Sequence, residues 1–284
     1  MKHGLRFFSS LLAIALVVGV GESYAQGGAA TPLAPAAAPP RIYVGPIGGF
    51  NQDFHSGGFR SFKGDPVCPV FEAASATGFF IGGSFEYLLG NPSEATSSIL
   101  LRLAYDSRPV SFAVREEGTA TLPVIDTNRV EIVDVTTEHR AQIDYSLLSF
   151  DALYKIMISR DVPLGIAAGV TANFVLVGQA KQTYEIVAPS NAQFDTTKRT
   201  DAVLRYEDNA QVMVFVDGDI PNRSSFRFGI KAGLFFELNL RKFLFAPALV
   251  VPGIWFDAGL TRVTTAENWR VNAFQAGVDI RWAL

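Results

Sequence analysis

The chain has 284 residues, 49% of them hydrophobic and 18% charged, with a formal net charge of -3. A charged fraction below the roughly 25% of an average soluble domain and the lack of a basic excess exclude an ordinary nucleic-acid-binding domain. A single cysteine excludes an intramolecular disulfide, while 23 Phe and 25 Gly suit strands with rings on one face and close packing on the other.

In chain order, Lys2, His3 and Arg6 precede an apolar run from Phe7 to Val20, and Ser23-Tyr24-Ala25 ends the segment with small residues at a cleavage-site spacing. The run is shorter than the roughly 20 residues of a membrane-spanning helix. Residues 1–25 are therefore expected to be a signal peptide. Residues 26–40 form an Ala/Pro tract with Pro32, Pro35, Pro39 and Pro40, which favours an extended linker. No second linker follows, so 41–284 is expected to be one domain.

That domain reads as strands. Arg41–Phe50 is a weak one. In Phe79–Leu89, Phe79, Ile81, Phe85, Tyr87 and Leu89 alternate with Phe80, Gly82, Ser84, Glu86 and Leu88. Ile99–Asp106, Leu147–Ile156 and Leu164–Phe174 repeat the pattern. The clearest is Phe226–Leu240, where every even position is apolar and the odd ones include Arg227, Lys231, Glu237 and Asn239. A helix would scatter those residues around its circumference. Phe243–Phe256 is blurred by Pro247 and Pro252, and Phe274–Leu284 alternates cleanly again. These are eight strands. Strand-like pieces at Val110–Arg115, Val130–Val135, Tyr184–Val187 and Val212–Val216 read as hairpins extending strands already counted; one further membrane hairpin would make ten.

Alternation does not say which face is inside, because a soluble lipocalin-like barrel also has eight strands. The polar face is rich in Gly and small residues, as a crowded lumen requires. Connections alternate between short (Gly90–Ser98, Ser159–Pro163, Arg241–Lys242) and long (51–77, 107–142, 178–225, 257–268), the outer-membrane habit. Tyr87, Tyr105, Tyr154, Trp255 and Trp282 sit near strand ends, where an interfacial girdle belongs. The expected fold is an all-β antiparallel up-and-down transmembrane β-barrel, monomeric, in the outer membrane with both ends in the periplasm.

The lumen face carries Glu86, Asp106, Asp151, Glu237 and Asp279 against Arg102, Lys155, Arg227, Lys231 and Arg281. Eight strands leave just enough room for side chains to fill the interior, and buried charges persist when paired. An ion-paired plug is expected, with a gated narrow conduit as the alternative. Asp53, His55 and Ser56 in the first long loop, with His139, invite comparison with outer-membrane lipid hydrolases. Adjacent His and Ser seldom converge on one reacting atom, however, so they read as polar loop residues. Cys68, between Pro66 and Pro69, reads as an inert side chain, and Asp217-Gly218-Asp219 as a turn that lacks the further ligands of a calcium loop. No metal, cofactor or catalytic centre is expected.

Gln275, Gly277, Ile280, Trp282 and Leu284 look like the C-terminal signal read by barrel-assembly machinery, which would be a partner during biogenesis; Leu284 stands where an aromatic is usual. Asn51-Gln52-Asp53-Phe54-His55-Ser56, Pro66-Val67-Cys68-Pro69, Gly82–Leu89, Asp219–Phe226 and Trp269-Arg270-Val271-Asn272 carry a resemblance to the PorT-like outer-membrane β-barrel family of the Bacteroidetes and Chlorobi. The resemblance spans most of 41–284 and implies an outer-membrane barrel. The family's namesake assists secretion-system assembly, but no residue here carries that role over. The expected role is structural, or recognition of an unidentified extracellular or periplasmic partner through the long loops. The alternatives are a narrow conduit for small solutes or hydrophobic ligands, a secretion or assembly accessory barrel and, far behind, a lipid-modifying enzyme.

Overall fold

The computed structural model describes residues 40–62, 68–124, 129–159, 162–196, 203–239 and 248–284. The expected signal peptide, the linker up to Pro39 and the turn at Arg241–Lys242 lie outside them. Among the described residues every regular element is a strand: β1 Ile42–Phe59, β2 Phe71–Leu88, β3 Ser97–Ser107, β4 Val110–Val124, β5 Arg129–Met157, β6 Leu164–Ala188, β7 Arg205–Glu207, β8 Val212–Asp219, β9 Phe226–Phe236, β10 Leu238–Asn239, β11 Ala248–Gly259 and β12 Arg270–Ala283.

Antiparallel ladders join β1 to β2, β2 to β3, β3 to β5, β5 to β6, β6 to β9, β9 to β11 and β11 to β12. β12 then pairs with β1 from Tyr43↔Ala283 to Ser56↔Arg270, so eight strands close into a ring with no free edge. The ends of the ring's first and last strands meet, where Leu284 N donates to Ile42 O at 2.9 Å.

β10 continues β9 alongside β11 within the ring, and the other three strands stand outside it. β4 pairs with the first half of β5, β8 with the end of β6, and β7 with β8, while β5 and β6 stay paired as far as Thr136↔Ala188. The order β4-β5-β6-β8-β7 is an extension rising from the end opposite Ile42 and Leu284. β5 has 29 residues and β6 has 25, far more than the roughly 9–11 a strand needs to cross a bilayer. A register shift at Ser146/Leu147 marks where β5 leaves the ring, level with its last pairing to β3 at Ser107↔Ser146. The extra residue is Leu176 of β6, and such a bulge bends its strand and adds twist.

The expected long loops are thus corrected. Strand β1 runs on from Phe50 to Phe59, most of 107–142 is strand, and 178–225 holds the end of β6 together with β7 and β8. The pieces at Val110–Arg115, Val130–Val135, Tyr184–Val187 and Val212–Val216 lie in β4, β5, β6 and β8, which form the extension and add no strand to the ring. Asp217-Gly218-Asp219 also belongs to β8 and is not a turn, with Gly218 at φ 150° and Asp217 bonded to Arg205 at 2.5 Å. Phe226–Leu240 is interrupted at Glu237, after which Leu238 and Asn239 pair with β11.

The faces follow the alternation. Phe228 is 52% and Ile280 37% exposed on the outside, while Lys231 and Arg281 are 3% and 1% exposed within. Phe54, Phe256 and Phe274 touch one another on the outer surface, as do Phe174, Phe226 and Phe228, and Phe79 meets Tyr105. Trp255 is a correction to the expected girdle. It faces inward and is buried, because Ile254 and Phe256 take the outward positions on β11.

Candidate functional site: a charged lumen beneath an aromatic cap

Inward-facing side chains fill the ring in tiers. Nearest the chain ends, Glu86 on β2 accepts from Ser98 Oγ, Lys155 Nζ and Arg281 Nη1, each at 2.5 Å. Lys155 also reaches Glu237, and Arg281 reaches Asp279. Glu237 is the least enclosed of these, with 19% of its side chain exposed. Leu100, Leu153, Phe235, Val251 and Trp255 pack together as an apolar layer.

In the middle, Lys231 on β9 donates to both oxygens of Asp151 on β5, at 2.8 and 3.0 Å. Arg102 on β3 lies 3.9 Å from Asp151, with its guanidinium 4.8 Å from the Trp255 ring and 5.5 Å from Phe80. Phe80 occupies a position that alternation assigned to the polar face. Its ring lies against Gly49 and Gly277, where a Cβ would collide with it. These glycines admit a large ring into a narrow lumen.

The third tier centres on Arg108, just past β3. Its Nη2 donates to Asp106 at 2.7 Å and to Asp257 at 2.5 Å, and its Nε lies 3.7 Å from Asp53. Asn51 donates to Asp106 at 2.5 Å, and Gln275 donates to Asn51 at 3.0 Å and to Asp106 at 3.2 Å. Lys231 stands 4.0 Å from Asp257 and so links the two upper tiers. Arg227 donates to the Tyr145 hydroxyl and to Val271 O, each at 3.3 Å.

All ten lumen charges named from sequence line this interior. The reading missed Arg108, Asp257, Asp53, Asn51 and the inward bonds of Gln275. Arg108 falls in an expected loop, although it lies two residues beyond the inward Asp106 and extending the period places it; Asp257 was hidden because Trp255, two residues before it, is expected in the outward girdle.

Above the third tier the chemistry changes. Phe59 and Phe71 from the tops of β1 and β2, Phe112 from β4, Tyr145 and Ile143 from β5, and Trp269 before β12 are all buried in one apolar cluster. Ring centroids lie 5.3 Å apart for Phe59–Phe71 and Phe59–Trp269, and 5.1 Å for Phe59–Phe112. Met213, Phe215 and Ile220 continue the cluster along the extension. The extension therefore closes over the lumen as a cap with a core of its own. Cys68 is buried in it and takes a hydrogen bond from Gln182 Nε2 at 3.2 Å. Val212–Val216 is apolar at alternate and intervening positions because Met213 to Val216 are all buried.

The residues that suggested a hydrolase do not converge. His55 faces inward and is buried, whereas Ser56 points outward with its hydroxyl bonded to Arg270 O at 3.4 Å. His139 lies far along β5, stacked on Tyr184 at 4.0 Å. On the outer face of the extension, Glu138 accepts from Arg115 at 2.7 Å and from Arg140 at 2.5 Å. The Arg115 hydrogen bond, with Arg140 beside it, holds the Glu138 carboxyl below its ordinary range. Among the described residues, no group of three or more His, Cys, Asp and Glu side chains is arranged to hold a metal ion.

No family model matches the sequence, and no curated protein does. Among solved structures the chain is similar to Neisserial surface protein A (NspA), at 11% identity over 86% of this chain and 97% of that one, with a TM-score of 0.37. It is also similar to Ail, the attachment invasion locus protein of Yersinia pestis, at 10% identity over 85% of this chain and 99% of that one, with a TM-score of 0.33. At such values the likenesses carry no weight, and the barrel rests on the ladders themselves.

Proposed function

We propose that the chain is an outer-membrane barrel with eight spanning strands, both ends in the periplasm and the capped extension at the cell surface, where it serves envelope structure or recognition. One observation carries the reading: a closed ring turns Phe228, Ile230, Ile254 and Phe274 outward while its interior is occupied by interlocked charges. Exposed rings of that number would aggregate in water, whereas hydrocarbon accepts them and demands a sheet without edges. The filled lumen favours a closed barrel over a conduit. It also leaves the extension, with the polar outer faces of β4 to β8, as the surface that can meet a partner.

Several finer points belong to the same proposal. Ile280, Trp282 and Leu284 are exposed along the last strand, as an assembly signal read from outside would need. Membership of the PorT-like family finds support in the way Asn51, Asp53, His55, Trp269 and Val271, all from its motifs, line the junction of lumen and cap. We propose no enzymatic activity.

Two measurements test the reading. Unboiled protein should migrate differently from boiled protein on a gel, and liposomes containing it should not swell in arabinose. Recovery in the detergent-free periplasmic extract would overturn the membrane assignment. Swelling by the native protein would overturn the closed lumen in favour of a conduit. In a closed lumen, reversing Lys231 (Lys231→Glu) beside Asp151 should make a conductance step appear.

A further inference from the structure

We infer that His55 and Trp269 form an acid-sensitive latch that holds the aromatic cap onto the charged lumen. This goes beyond the proposed function and does not depend on whether the lumen conducts.

Trp269 is fully buried at the hub of the cap, with ring contacts to Phe59, Phe112, Tyr145 and His55. Its single polar atom, Nε1, donates to His55 Nδ1 at 3.2 Å. An indole N–H can only donate, so Nδ1 must present a lone pair and the imidazole proton must sit on Nε2. The bond therefore exists only for the neutral ring. A second proton would go onto Nδ1 and set two N–H groups against each other, replacing the attachment by repulsion.

The surroundings disfavour the charged ring. Arg108 beyond β3 and Arg227 on β9 lie close enough to oppose a positive charge on His55, and burial opposes it more strongly. Asp106 on β3 and Asp257 on β11 are engaged with Arg108, and the Tyr145 hydroxyl on β5 takes Arg227. From β4 the neighbour is Phe112, from β2 Phe71, Ala74 and Ala76 join the cap, and from β12 Gln275 bonds below. Asp53, two residues away on the same face of β1, is wholly buried with no hydrogen bond to either carboxylate oxygen. Neutral His55 is thus tied upward to the cap, and its protonation removes that tie. Because the charged form is disfavoured, the change comes at a pH below the ordinary imidazole range near 6.5. Loosening the cap in acid would alter the surface it presents.

Cys68, packed in the same cluster, reports the state of the cap. The full protein, folded in detergent micelles, is labelled with 4,4′-dithiodipyridine, which reacts with thiols in acid as well as at neutral pH. The labelling rate is expected to rise at least tenfold between pH 7 and pH 3 while the unboiled gel mobility stays that of the folded barrel. His55→Asn, whose side-chain oxygen can still accept from Trp269 but does not titrate, should label slowly at both values. Trp269→Phe should label fast already at pH 7. A flat rate for the native protein overturns the latch whatever the variants do. An acid rise of the same size in His55→Asn overturns it by assigning the change to the carboxylates. Should that variant not fold, slow labelling of Trp269→Phe at pH 7 overturns it equally.

Discussion

The lumen and the cap are neighbours with opposite means of filling space. In the lumen, Glu86 satisfies Ser98, Lys155 and Arg281 at once, and Arg108 is shared by Asp106 and Asp257. In the cap a few residues higher, Phe59, Phe71, Phe112 and Trp269 meet ring to ring, and the Trp269 side chain adds one hydrogen bond, to His55. The difference follows from what each region has behind it. Lumen walls are strands whose outer face is already apolar, so polar side chains must point in and find partners there. The cap is roofed by the extension, whose outer face carries Arg115, Glu138 and Arg140, so its inner face is free to be apolar. Charge pairs impose strict geometry, because removing one member strands the others. An apolar cluster tolerates changes of shape that conserve volume.

The comparison can be broken most easily at Glu86. Glu86→Ala leaves Lys155 and Arg281 short of a buried acceptor and should destabilise the folded barrel by about 3–5 kcal/mol, read as a lowered urea midpoint in micelles. A loss under about 1 kcal/mol would mean that water enters and solvates this tier. In the cap, Phe112→Leu nearly conserves volume and should cost less than about 1.5 kcal/mol by the same measurement. A larger loss would show that the cap, too, depends on exact ring geometry.

The smallest effect is expected at the surface of the extension. Glu138 is itself 4% exposed beneath its partners, but the arginines that Glu138→Gln releases stay in reach of water, Arg115 being 65% and Arg140 36% exposed. The cost at pH 7 should be about 0.2–1 kcal/mol. The folded pKa of Glu138 is lowered, so its contribution is complete above the ordinary glutamate value of 4.5 and is lost as pH falls through the lowered folded value. The native protein and Glu138→Gln should therefore converge in stability toward pH 3. A difference that persists or grows there would assign the effect to packing.

Legibility in the sequence depended on contrast between the two faces of a strand. Where lipid-type residues alternate with charges, as at Phe226–Phe236, period two is unmistakable, and Arg227 and Lys231 read as inward. Beyond Phe50 the contrast disappears. Gln52 and Ser56 face out while Asn51, Asp53 and His55 face in, so both faces are polar and the strand reads as a loop. The cap was hidden for the converse reason, since Val212–Val216 is apolar on both faces. The hydrolase-like grouping of His55 with Ser56 dissolved on strand geometry alone, because adjacent residues point to opposite faces.

By itself the sequence determined the side on which each residue of the regular strands would lie, since side-chain direction in a strand is a local property that repeats every two residues. It could not determine who meets whom across the interior. Glu86 finds Lys155 at 69 residues' separation and Arg281 at 195, and those meetings depend on how the ring closes and how far its strands are staggered. Only tertiary structure sets these, because closure is a property of all eight strands together. The cap likewise exists only because β5 and β6 continue past the ring and fold their apolar face back over its mouth.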